Sequence, residues 1–189
     1  MALRRRDDSA IVFQLEVILK GTNPPIWRRF EVPETMTLAQ LHAVLQTVMG
    51  WTDSHLHLFR IGDRSFAPHG DLEPLGEDTR GVRLAEIAPR EGSRLIYEYD
   101  FGDGWTHDIV VESVDAEPCV RMRCVKGKRR CTPEDSGGPW GYRELLEARI
   151  DPRHERHAGL AEWIDHEFDP EEFDAEIVNR ELGRRMEGR

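Results

Sequence analysis

The 189-residue chain predicts an α+β fold: a β-grasp-like mixed sheet crossed by one long helix, with a C-terminal helical subdomain. Three observations carry that expectation. Period-two alternation marks strands near the start and around residue 100, a single segment of 3.6-residue period lies between them, and helical patterns fill the last third. The length suits one domain that can bury a core without disulfides or metals. Residues 1–9 read as a disordered tail, 10–117 as the α+β core, and 118–189 as a loop and C-terminal helical extension of the same domain.

Taken in order, Phe13, Leu15, Val17 and Leu19 share one face of a first strand, and "IWRRFEV" (26–32) is a second extended run. "GTNPP" between them makes a hairpin, with Pro24 and Pro25 placed where a missing N–H does no harm. Leu38, Leu41, Leu45 and Val48 then recur at helical spacing, with Thr37 as N-cap and Gly50 as the stop. "HLHLFRIG" (55–62) returns to period two, "DRSFAPHGDLEPLGEDTRG" reads as a long surface loop, and "VRLAEIAP" as a short helical turn. Beyond residue 118 a Cys-, Lys- and Arg-containing loop leads to helices at "GYRELLEAR", "HERHAGLAEWIDHE" and "PEEFDAEIVNREL". Asp169 is the expected N-cap of the last of these and Pro170 its first residue.

The stretch "YEYDFGDGWTHDI" (97–109) reads as two strands joined by Gly102-Asp103-Gly104. That connection pairs Phe101 with Trp105, Tyr99 with His107, Tyr97 with Ile109 and Leu95 with Val111, all on one face. The Asp-Phe-Gly tripeptide is no kinase signature, because the chain has no "HRD" and no Gly-rich loop after a first strand.

Composition narrows the function classes. A formal net charge of -10 disfavours nucleic acid, whose non-specific affinity comes from Lys and Arg on phosphates. No apolar run approaches the ~20 residues that cross a bilayer, and no apolar segment follows "MALRRRDDSA", so a cytoplasmic location and no membrane partner are expected. Cys119, Cys124 and Cys131 fit a reducing compartment.

Three sets of residues could carry function, and no catalytic residue is assigned. Trp51, Tyr99, Asp100, Asp103, Trp105 and His107 form a candidate surface for a protein or small-molecule ligand, with a sheet core as the alternative place for the aromatics. His55 and His57, two apart on a strand, project about 6 to 7 Å apart from one face and suit a divalent metal. His107, His42, Cys124 or Cys131 would supply a third donor, and His107 is the one carried forward; no other cofactor is predicted. Arg28, Arg29, Lys126, Arg129 and Arg130, with Gly137 and Gly138 at a helix start, form a candidate anion site. The leading reading is a binding or accessory module. The alternatives are a metal-dependent hydrolase or nuclease using His55, His57, Asp100, Asp103 and His107, and an anion or nucleic-acid binder.

"PPIWRRFEVPETMTLAQLHAVLQTVMGWTDSHLHLF", "LIYEYDFGDGWTHDIVVE", "CTPEDSGGPWGY" and "FDPEEFD" together resemble the Ri-plasmid third-open-reading-frame-like family (plasmid pRiA4b ORF-3-like), over roughly residues 10 to 182. The resemblance implies a compact α+β domain encoded on plasmids, mobile elements and chromosomes, with no activity or catalytic residues to carry over. Some members bear an insertion-element passenger TnpR label, but a serine recombinase needs an N-terminal nucleophilic serine among arginines and a basic DNA-binding end. Here Ser9 lies in a polar tail and the C-terminus from Glu162 is acidic. Members often carry a third cysteine in the "C-P-P-E-D-C-G-G" block, where this chain has Thr132 and Ser136. A metal site built on that cysteine would be lost here.

Overall fold

A computed structural model of the chain describes residues 10–70, 75–117, 122–159 and 168–187. The first hairpin forms as its alternation requires. β1 (Ala10–Leu19) pairs antiparallel with β2 (Ile26–Pro33), and Phe13, Leu15, Val17 and Leu19 are buried on one face. α1 (Leu38–Met49) begins at Thr37, which shares a capping box with Gln40, and ends at Gly50 in the left-handed region. β3 (His57–Ile61), β4 (Arg64–Ala67), β5 (Glu77–Asp78), α2 (Leu84–Ile87), β6 (Arg94–Tyr99), β7 (Trp105–Glu117), β8 (Arg123–Lys128), α3 (Gly138–Ile150) and α4 (Ala175–Glu187) follow.

The strands form one eight-stranded sheet in the order β5-β4-β3-β6-β7-β1-β2-β8, in which only β4 and β5 run parallel. The fold is therefore α+β with a mixed sheet. Its topology does not carry the finer β-grasp expectation, because every central pairing, β1 with β7 included, is antiparallel. α1 bonds to both sides of the sheet's centre: His42 and Gln46 meet the Tyr97 hydroxyl on β6, and the Val48 carbonyl accepts from Arg28 on β2. Leu38, Leu41, Leu45 and Val48 are buried beneath it, as their spacing requires.

Four expectations need correction. The 63–81 stretch contains β4 and β5, because Phe66 is buried and Arg64 is ion-paired with Glu77 across the strands. The basic segment after residue 118 includes β8, an edge strand on β2. The last helix starts at Ala175 rather than Pro170, since the Asp174 carboxylate accepts from the Glu176 and Ile177 N–H groups. Asp169 instead closes a turn through the Glu171 and Glu172 N–H groups. In the third hairpin Tyr99 faces Trp105 and Tyr97 faces His107, a register two residues from the expected one. Asp100 leaves the strand with φ 55, takes the Gly102 and Asp103 N–H groups on Oδ1 and the Gly104 N–H on its carbonyl, and so lengthens the turn. A two-residue shift preserves which side chains face the core, and Leu95, Tyr97, Tyr99, Trp105, His107, Ile109 and Val111 are all buried.

The tail at 1–9 and most of the helix expected at 154–167 lie outside the described residues. Among the described residues no helix is long and apolar enough to cross a membrane.

Gly138 seats α3 on the β6–β7 turn: a Cβ there would lie 2.3 Å from the Asp103 carbonyl oxygen, while one on Gly141 would lie 2.1 Å from the carbonyl oxygen of Ser136, just before the helix. Gly138→Ala should therefore destabilise more than Gly62→Ala, which has the same positive φ but open space around it and costs only about 1 kcal/mol of backbone strain. Urea denaturation of both variants checks this; equal losses would mean that the close approach carries no energy.

Candidate functional site

At the end of the sheet where β6 stops and β3 and β7 begin, the 53–57 segment contributes to two histidine–carboxylate clusters. The first forms because α1 places His42 and Gln46 one turn apart, facing Tyr97. The Gln46 amide donates to the Tyr97 hydroxyl (2.9 Å), which leaves that hydroxyl's proton for His42 Nδ1 (2.9 Å). His42 Nε2–H then donates to Asp53 Oδ1 (2.8 Å), and the Asp53 N–H returns to Gln46 Oε1 (2.8 Å). This closed circuit holds Asp53 at φ 60. His57 stacks on His42 with ring centroids 3.5 Å apart and planes 7° apart, and its Nε2 is buried without a hydrogen-bond partner. Burial lowers both pKa values, that of His57 to about 3 with the neighbouring His42 adding to it, so both rings are neutral. A cavity of about 460 Å³ opens beside them, lined by His42, Asp53, His55, His57, Thr79 and Arg80 among others.

The second cluster joins three segments. β3 starts at His57, so His55 precedes the strand and is not bound by its alternation. It reaches the 134–135 segment, where Nε2 lies 3.2 Å from Asp135 Oδ1, 3.6 Å from Asp100 Oδ2 and 3.8 Å from Glu134 Oε2. Glu134 is oriented by its other oxygen, which accepts from the Thr52 N–H (2.7 Å), the Thr52 hydroxyl (2.9 Å) and the Tyr99 hydroxyl (3.0 Å). Burial pushes the Tyr99 pKa up and keeps that hydroxyl a donor.

The structure thus separates His55 from His57 and takes His107 away from both. His107 is fully buried, donates from Nδ1 to the Tyr97 carbonyl (3.2 Å) and accepts on Nε2 from the Trp51 indole (3.4 Å). Both nitrogens are occupied, which corrects its place in a metal set. The aromatic contact surface is corrected likewise: Trp51, Tyr99 and Trp105 are core residues, Asp100 is buried, and Asp103 caps α3 by accepting the Gly137 N–H on Oδ2 (2.9 Å).

That cap also occupies the expected anion seat at Gly137 and Gly138. The cations assigned to it are engaged elsewhere. Arg28 is buried, donates to the carbonyls of Trp27, Val48, Lys128 and Arg129, and lies over the Phe173 ring. Arg29 pairs with Glu112 and Glu16, Arg129 with Glu171 and Arg130 with Glu172; Lys126 sits on the β8 edge. Burial pushes the Cys124 and Cys131 thiols up to about 11 and about 12, which leaves them protonated and poor metal ligands. Sequence reasoning missed Gln46, Asp53, Glu134 and Asp135 as site residues; the acidic pair in "PEDSGG" was the visible signal.

Burial lowers the His107 pKa to about 4. The unfolded chain, with an ordinary histidine, then binds more protons below about pH 6.5 than the folded one. The stability this neutral group contributes is complete above that pH and is lost as pH falls toward 4. A His107→Gln variant, compared with wild type by urea denaturation at pH 7 and pH 5, should show the weaker pH dependence. An unchanged slope would contradict the assignment.

A 157-residue stretch is 43% identical to the uncharacterised protein y4hQ of Sinorhizobium fredii, covering 82% of this chain and 81% of that one. The fold matches the crystal structure of MM3350, a protein of unknown function from Methanosarcina mazei Go1, with a TM-score of 0.81 and 36% identity over 89% of this chain and 98% of that chain. A family model described as plasmid pRiA4b ORF-3-like protein matches residues 11–177, a span that includes both clusters, and the chain belongs to that family.

Proposed function

We propose that the protein is a binding module for a small polar molecule seated in the cleft beneath the 53–57 loop. The observation that carries this reading is the Gln46–Tyr97–His42–Asp53 circuit, which ends in a half-exposed carboxylate in the cleft wall. Such a circuit fixes a polar group before any ligand arrives, and so lowers the ordering cost of binding. His57 adds a buried ring nitrogen with no protein partner. The volume, about 460 Å³, falls within the range of small-molecule sites. Arg80 is turned to Asp78, so Asp53 supplies the cleft's charge and the ligand is one that donates hydrogen bonds: an amine or a polyol. A nucleic-acid role has little support, because Arg28, Arg29, Arg129 and Arg130 are buried or paired within the fold.

Saturation-transfer NMR with a panel of amino alcohols and polyols tests the reading on wild type, Asp53→Ala and His57→Phe. A hydrogen bond to a charged group is worth about 1.5–3 kcal/mol, so Asp53→Ala should weaken the best binder at least about tenfold. No binder in the panel, or equal affinity for wild type and both variants, would contradict it.

A further inference from the structure

We propose that His55, Asp100 and Asp135 bind one divalent metal ion of the manganese class. His55 also lines the cleft, but the ligand set excludes Asp53 and His57, so the proposal goes beyond the cleft reading and variants of those two residues tell the two apart.

Elsewhere the half-buried carboxylates have a guanidinium against them: Glu16 and Glu112 face Arg29, Glu31 faces Arg123, Glu98 faces Arg60 and Glu144 faces Arg156. Asp100, Glu134 and Asp135 share a single neighbour within ion-pair distance, the imidazole of His55, and among the described residues no Lys or Arg reaches them. Asp100 and Asp135 converge on His55 without a cation, with Glu134 on its other flank, and like charges so placed repel one another. Charges in such places are paired or hold a metal.

Orientation points the same way. Asp100, nine-tenths buried, commits Oδ1 to the Gly102 and Asp103 N–H groups and turns Oδ2 toward His55. Glu134 commits Oε1 to Thr52 and Tyr99 and turns Oε2 inward. In each, one oxygen is held by donors and the other faces the centre, which is how an outer shell orients metal ligands. Both Glu134 Oε2 and His55 Nε2 are shut off from solvent and lack a hydrogen-bond partner. Each would cost free energy if nothing met it.

Spacing agrees. The nitrogen-to-oxygen separations of 3.2, 3.6 and 3.8 Å are long for charge-assisted hydrogen bonds. The first two, to Asp135 and Asp100, are close to the ~3.0 to 3.4 Å between neighbouring donors when each lies about 2.1 Å from one octahedral or tetrahedral ion. One imidazole and two carboxylates, with Glu134 beside them, are a hard, oxygen-rich set, which favours manganese over zinc. The other cluster is a poorer chelate: the parallel stack of His42 and His57 keeps their ring lone pairs from converging, and His42 already uses both nitrogens.

Titration calorimetry of chelator-treated protein with manganese chloride tests the proposal, with a melting curve of each sample. Wild type should bind one ion per chain and melt higher with it. Asp135→Asn, whose carboxylate is largely exposed and which should leave the fold intact, and His55→Ala should each weaken binding at least tenfold, while Asp53→Ala and His57→Ala should not. No saturable binding by wild type would overturn the proposal. So would binding that survives Asp135→Asn and His55→Ala, or that is lost only in Asp53→Ala and His57→Ala.

Discussion

The conformation of Asp100 is the constraint on which the rest of this end of the molecule depends. By turning into the left-handed region it ends β6 at Tyr99, which pairs Tyr99 with Trp105 and Tyr97 with His107. Those four side chains, with Trp51 and Phe59, form an aromatic cluster within the core, in which Tyr97 and Phe59 lie 4.9 Å apart and Trp51 and Tyr99 5.3 Å apart. Truncating a buried aromatic of this size typically costs about 3–5 kcal/mol, a large share of the stability of a single domain. Asp100 also carries its own carboxylate to the edge of that core, beside His55, so one backbone turn serves both the packing and the cluster.

The polar groups of the core follow from the same geometry. Tyr97 and Tyr99 point hydroxyls toward the sheet end, and each must find partners because an unmet buried hydroxyl is costly. Tyr97 finds His42 and Gln46 on α1, and Tyr99 finds Glu134 and the Ser54 N–H. The two tyrosines thus connect the sheet to the helix on one side and to the "PEDSGG" segment on the other. Gly138 completes the second connection by letting the start of α3 rest on the Asp103 carbonyl. Both histidine–carboxylate clusters are attached to the core through these bonds, which makes them rigid features of the fold.

What could be read from the sequence was what short-range pattern determines. The β1–β2 hairpin, the capped helix α1 and the inward face shared by Leu95, Tyr97, Trp105 and Ile109 are local alternations with local stops, and the structure has them. The register of the third hairpin was misread by two residues because either register buries the same side chains. β5 and β8 are short edge strands and β4 is a four-residue strand beside β5, and their Gly and charged residues look like loop; Asp169 and Asp174 are both good helix caps, so pattern alone could not choose between them. The clusters were half legible. His55, His57 and Asp100 were singled out, but period two was extended one step too far, through His55, and nothing local says that Glu134 and Asp135 return to the same place. The arginines show the converse error: Arg28 looks like a surface cation in sequence, yet its position on the inward face of β2 makes it a buried hub for four carbonyls.

The account centres on an ion held between three segments that only the fold brings together. Anomalous diffraction from crystals grown with manganese tests it most directly. The account predicts one anomalous peak about 2.0–2.3 Å from His55 Nε2, Asp100 Oδ2 and Asp135 Oδ1. A peak between His42, Asp53 and His57, or no ordered ion with Asp100 and Asp135 still converging on His55, would contradict it.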